Sequence, residues 1–142
     1  LQDRLQGSLR GYVPLSGSLT LVLGGDARVL VTDDPDPSDL YRLGGASSLR
    51  GYDEERFAGI AVGRALVEVR SRLQGPSFAY LFADVGYVDP GRGPDEKPGV
   101  HPGFGVGVRL MTAAGLLNVS YAVNREDGLT NGRVHFGIAF GL

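Results

Sequence analysis

Residues 58–73 read AGIAVGRALVEVRSRL. Ala61, Gly63, Ala65, Val67, Val69 and Leu73 fall on one set of alternate positions, and Arg64, Glu68, Arg70 and Arg72 on the other. Side chains alternate between faces only in an extended strand, so this period of two predicts a β-strand with one apolar and one charged face. Six further stretches carry the same signature. Asp3 to Tyr12 sets Leu5, Gly7, Leu9 and Gly11 against Arg4, Gln6, Ser8 and Arg10. Ser18 to Thr32 sets Leu19, Leu21, Leu23, Ala27, Val29 and Val31 against Thr20, Asp26 and Arg28. Ser77 to Val88 places Leu81, Val85 and Tyr87 opposite Tyr80, Phe82, Asp84 and Gly86. Gly103 to Met111 places Phe104, Val106, Val108 and Leu110 opposite three glycines and Arg109. Leu116 to Asn124 and Gly132 to Leu142 complete the series, with Val119 and Tyr121, then Val134, Phe136 and Ile138, on their apolar sides.

Strands of a soluble sandwich usually run nearer six residues. Those predicted here reach about ten or more, the length a tilted strand needs to cross a bilayer. Short connections (Pro14 to Gly17, Gln74 to Pro76, Thr112 to Gly115) alternate with long ones (Asp33 to Phe57, Asp89 to Val100, Arg125 to Asn131), the layout of an outer-membrane barrel. The expected fold is therefore all-β, an antiparallel transmembrane β-barrel. An unpaired strand edge in lipid has no water to satisfy it, and such barrels normally have an even number of strands. Seven strands thus lead us to expect one part of a larger barrel, with further strands upstream of Leu1.

Composition narrows the function. Glycine supplies 23 of the 142 residues, and 14 basic against 16 acidic residues leave a net charge of -2. Nucleic acid has no electrostatic footprint here. There is no cysteine and no apolar run of 18 residues, hence no transmembrane helix signal. His101 and His135 lack a spaced partner, so no metal centre is expected. The aspartates at 33, 34, 36 and 39 crowd the start of the long loop, but their spacing is not that of a calcium loop. No catalytic constellation and no cofactor motif is present, so the expectation is a protein that is not an enzyme.

The long loop, residues 33–57, contains Leu43-Gly44-Gly45-Ala46-Ser47-Ser48-Leu49-Arg50-Gly51-Tyr52 and then Arg56-Phe57-Ala58-Gly59. This resembles the signature loop of the BamA/TamA superfamily (the bacterial surface antigen family). Further resemblances follow in the same order along the chain: Tyr12-Val13-Pro14-Leu15, Glu68-Val69-Arg70, Phe82-Ala83-Asp84-Val85-Gly86, Gly105-Val106-Gly107-Val108-Arg109 and Ser120-Tyr121-Ala122. The resemblance implies that residues 1–142 are the C-terminal seven strands of a sixteen-stranded barrel. It implies a long loop that folds inward, with Arg50 meeting an acid on the inner wall. Asp84 is the expected partner, with Glu68 as the alternative acid. Gly86 would give the loop backbone room to approach, and Tyr52 would pack on Phe82. Gly44, Gly45 and Gly51 belong to the same motif. The last residues are similar to the terminal signal of outer-membrane barrels, with His135, Gly137, Phe140 and Leu142 at its positions, although the usual ending is Phe.

The function implied is that of an assembly factor that folds and inserts β-barrel proteins into the outer membrane of a bacterium. Its partners would be outer-membrane lipid, unfolded barrel clients, the rest of its own barrel and its periplasmic domains, and accessory lipoproteins. Polypeptide translocation, as in two-partner secretion or fused-hydrolase barrels, is one alternative; a small structural barrel is another.

Overall fold

The computed structural model describes residues 1–91 and 95–140. Leu142 of the expected terminal signal lies outside the described residues. Nine strands follow one another without a helix: β1 (Asp3–Pro14), β2 (Leu19–Val31), β3 (Tyr41–Leu43), β4 (Phe57–Gly59), β5 (Ala61–Arg72), β6 (Phe78–Asp89), β7 (Gly99–Thr112), β8 (Gly115–Asn124) and β9 (Gly128–Ala139). Seven form one antiparallel sheet in the order β1-β2-β5-β6-β7-β8-β9, and β3 pairs with β4 in a separate two-stranded sheet. Each long strand is thus hydrogen-bonded to its predecessor in the sheet, the up-and-down connectivity of a β-barrel wall. The seven strands of the large sheet span 10 to 14 residues.

Faces follow the alternation. On β6, Tyr80, Phe82, Asp84, Gly86 and Val88 are buried, while Leu81, Val85 and Tyr87 are exposed. The outward side carries Leu5, Leu23, Val67, Leu81, Phe104, Val106, Tyr121, Val134, Phe136 and Ile138, all exposed. A continuous apolar surface of this extent is unsuited to water and suited to lipid. The dry interior lies on the other face, beneath the loop that runs from β2 to β5. One cluster gathers Leu43, Leu49 and Tyr52 of the loop with Val62 and Val88 of the wall; a second joins Tyr80, Phe82 and Ala122.

Several boundaries differ from expectation, each for a tertiary reason. The third segment does not begin at Ala58. Phe57–Gly59 pairs with Tyr41–Leu43, and the backbone turns at Ile60, whose N–H donates to Asp89 while its carbonyl accepts from Leu30. The long loop therefore has a hairpin of its own. β7 starts at Gly99, ahead of the expected Gly103, because its first residues pair with β6 through Val88 and Tyr87. The connection read as long between Arg125 and Asn131 is a tight turn: β9 begins at Gly128, directly opposite Asn124. Asn and Gly near a strand end signal a turn, but pairing decides how many flanking residues join the ladder.

Candidate functional site

Arg50 sits at the tip of the loop and is gripped from three directions. Its Nε donates to Asp84 Oδ2 at 2.8 Å and its Nη2 to Asp84 Oδ1 at 2.6 Å, a two-pronged pair. Its Nη1 donates to Glu68 Oε1 at 2.6 Å. Its own backbone N–H adds a bond to Asp84 Oδ2 at 3.1 Å. The guanidinium lies 3.8 Å from the centre of the Phe82 ring, where the ring's negative face attracts a cation. The strands make this possible by register. Leu66 is opposite Asp84 and Glu68 opposite Phe82, so the two acids are diagonal neighbours on one inner face. Arg70 bonds the other oxygen of Glu68. Two cations thus meet two carboxylates, and no charge is left alone where desolvation is costly. Asp84 is fully buried and Glu68 nearly so.

Asp84 and Glu68 therefore act together and are not alternatives. Gly86 makes room, but for side chains and not for loop backbone: a Cβ there would stand 2.6 Å from Leu49 Cδ2. Tyr52 does not reach Phe82. It is fully buried among Phe57, 5.2 Å away edge-on, and His101, 6.0 Å away, because its hydroxyl donates to the Pro102 carbonyl at 2.8 Å. Burial, with the charge of Glu126, pushes the Tyr52 hydroxyl up to about 12. The guanidinium of Arg50 takes the place on Phe82 that was expected for Tyr52.

A second grip holds the same loop tip against the last hairpin. Gly51 adopts φ of 99°, a region that strongly favours glycine. Its N–H donates to His135 Nε2 at 3.0 Å, and its carbonyl accepts from Asn124 Nδ2 at 2.6 Å. Accepting that bond requires an unprotonated Nε2, so His135 carries its proton on Nδ1. Outside this contact runs a surface network. Arg133 bonds Asp53 at 2.6 Å and Asp127 at 2.7 Å, and Arg56 pairs with Asp127 and Glu126. Glu126 also pairs with His101, which stacks on Phe57. Arg56 beside Asp127 holds that carboxyl well below the usual carboxylate range. A third contact, Arg64 to the Ser48 carbonyl, ties the loop to β5, with Asp26 orienting the arginine.

Close approach depends on β7. A Cβ at Gly103 would lie 2.1 Å from the Arg50 carbonyl oxygen. The three inward glycines of this strand are thus a channel for the loop and the aromatic rings rather than a flexible segment. Gly44 and Gly45 (φ 134° and 111°) shape the turn before the tip, where Gly45 N–H donates to the Leu49 carbonyl at 3.0 Å and Gly44 N–H to Ser48 Oγ at 3.1 Å. Among the terminal residues, His135 is buried against the loop, Gly137 of β9 is opposite Asn118 of β8, and Phe140 is exposed just beyond the strand. Sequence reasoning missed Asn124, Arg133, Gly103 and the role of His135. Only the glycine recurrence at 103, 105 and 107 carried a local signal.

The family model described as the Omp85 superfamily domain matches residues 2–140. Outer envelope protein 80, chloroplastic, of Arabidopsis thaliana is 34% identical over 115 residues, covering 72% of this chain and 15% of that protein. The protein of the same name in Oryza sativa subsp. japonica is 33% identical over 117 residues, covering 73% and 16%. Outer envelope protein 39, chloroplastic, of Arabidopsis thaliana is 29% identical over 120 residues, covering 76% and 32%. The chain spans between 15% and 32% of the length of these curated relatives.

Proposed function

Because the chain belongs to the Omp85 superfamily, and so forms part of an outer-membrane β-barrel, we propose that it is the C-terminal, loop-bearing wall of a barrel that folds and inserts other β-barrel proteins. The observation that carries the reading is the double fastening of one loop tip, to β5 and β6 through Arg50 and to β8 and β9 through Gly51. A loop bound so firmly inside a wall orients the inner surface without doing bond chemistry. Beside it β9 forms an edge of the described sheet. In lipid its backbone groups need partners, and an edge is a surface on which an incoming strand can pair. Gly137 makes β9 easier to deform while it does so.

The proposed partners are outer-membrane lipid, unfolded barrel clients, the remaining strands of the barrel, its periplasmic domains, and accessory lipoproteins. The matched relatives are named for a chloroplast outer envelope, so placement in a bacterial outer membrane is part of the proposal, supported by the resemblance of the loop and terminal motifs.

The test uses the full-length protein reconstituted in liposomes with a urea-denatured small barrel as client. Protease-protected client should accumulate faster than in empty liposomes, and Arg50→Ala should slow this while the barrel itself still folds. Insertion no faster than in empty liposomes would overturn the reading. Passage of a soluble polypeptide into the vesicle interior would favour translocation instead.

A further inference from the structure

The short-turn end of the sheet has a charge pattern that the loop grips do not use. All 16 acidic residues of the chain lie level with Glu68 or beyond it, toward the long connections. The short turns, residues 15–18, 73–77 and 113–114, contain no Asp or Glu. Arg70, Arg72 and Arg109 point inward at this end. Arg72, Phe78 and Arg109 share one cross-strand row, since Phe78 is opposite Arg72 on β5 and opposite Arg109 on β7. The Arg70 and Arg109 guanidinium groups lie 4.5 Å and 5.5 Å from the centre of the Phe78 ring, and Arg70 lies 5.6 Å from that of Tyr12. Among the described residues, Arg72 and Arg109 have no carboxylate within ion-pair distance; Arg70 shares Glu68 with Arg50. Arg70, Arg72, Tyr12 and Phe78 line a depression of about 300 Å³ floored by the short turns, and Arg109 lies across Phe78 from it, in a neighbouring hollow that Arg70 and Phe78 also line.

The geometry points to this arginine row around Phe78, with the hollows on either side of the ring, as a binding site for acidic segments of polypeptide entering the lumen. A guanidinium held over an aromatic ring keeps its N–H edge free for a carboxylate, which it can bond in a planar, two-pronged way. The one carboxylate nearby is already shared by two arginines, so the excess charge is positive. Lipid headgroups are the wrong occupant, because the arginines occupy the inward positions of strands whose outward neighbours, such as Leu81 and Val106, face lipid. The inference rests on the proposed function only in that a polypeptide must reach the lumen, and it names the chemistry of that polypeptide.

The experiment measures binding of short fluorescent peptides to the full-length protein in detergent, with heat-resistant migration of the folded barrel as the control for each variant. An acidic peptide should bind and a basic peptide of equal length should not. Arg72→Ala with Arg109→Ala should weaken acidic-peptide binding roughly fivefold to tenfold, the sum expected of two partly solvated ion pairs. Retention of binding in Arg109→Lys and its loss in Arg109→Glu would tie the effect to charge and not to folding. High salt should erase the preference, since at molar ionic strength the screening length is about 3 Å. Equal binding of acidic and basic peptides, undiminished binding by the double variant, or complete displacement by inorganic phosphate at matched charge would each overturn the proposal. Client insertion is assayed separately on the same preparations. A wild type that inserts clients but ignores acidic peptide sinks this site alone, and one that binds the peptide but inserts nothing sinks the insertion reading alone.

Discussion

The loop tip is held twice, and the two grips differ in what surrounds them. At β5 and β6, Arg50 meets Asp84 and Glu68 with side-chain exposures of 12%, 0% and 5%. At β8 and β9, the outer contacts join Arg133 and Arg56 to Asp53 and Asp127, with Asp53 exposed at 69%. The same chemical pair is worth different amounts in the two places. In water an ion pair is screened and entropically costly, so it contributes little. In a dry wall, the pair must be complete, because a surviving lone charge has no solvent to turn to. The inner grip is therefore the one whose loss should matter, and the outer network acts mainly to select the loop's orientation. Between the two lies the buried contact of Gly51 with His135 and Asn124, which Arg133 joins by donating to the same Gly51 carbonyl.

The widest gap between the grips should appear with Asp84→Ala, which leaves Arg50 one acid for its remaining N–H groups. A destabilisation of about 3–5 kcal/mol is expected for breaking a buried pair, read as a large drop in the heat at which the folded barrel band disappears. Gly103→Ala comes next. Its added methyl meets the Arg50 carbonyl, and displacing the loop should cost about 1–3 kcal/mol as overpacking does. His135→Ala removes the acceptor for a buried N–H, with a loss of about 1–3 kcal/mol; Asn124→Ala should cost less on the carbonyl side, because Arg133 Nη1 also donates to the Gly51 carbonyl at 3.2 Å. Asp53→Ala should scarcely shift the melting temperature at physiological salt. A shift for Asp53→Ala as large as that for Asp84→Ala would break the comparison, since burial would then not be what separates the grips.

Acid sharpens the same contrast. The Asp127 carboxyl is held low by Arg56 when folded, so its pairs stabilise the protein above the ordinary carboxylate range near 3.9. That contribution is lost as pH falls through and below this range. Loop protection from protease at Asp53 to Arg56 should therefore weaken as pH falls below this range, and Asp127→Asn should abolish that pH dependence. An unchanged pH dependence in the variant would show that this network does not hold the loop.

How much of this was legible depends on the kind of interaction. Period-two alternation marked all seven long strands and the correct outward face of each, because a strand has only two sides and lipid tolerates only one kind of residue. The association of Arg50 with Asp84 was legible through the ordered resemblance of motifs and not from spacing. The hairpin formed by Tyr41–Leu43 and Phe57–Gly59 was not legible: three residues are too few to show a period. Nor was the early start of β9 at Gly128, since a strand boundary is set by the partner across the ladder.

Alternation along each segment was sufficient to define an all-β wall with a greasy and a polar side, since that pattern is written in neighbours two residues apart. Which residues meet across the wall was decided only in three dimensions. Gly51 and His135 are 84 positions apart, and Tyr52 chose Phe57 and His101 over Phe82 because the strand register brought the Pro102 carbonyl within reach of its hydroxyl. Register and loop path bring distant groups together, and neither leaves a trace in local periodicity.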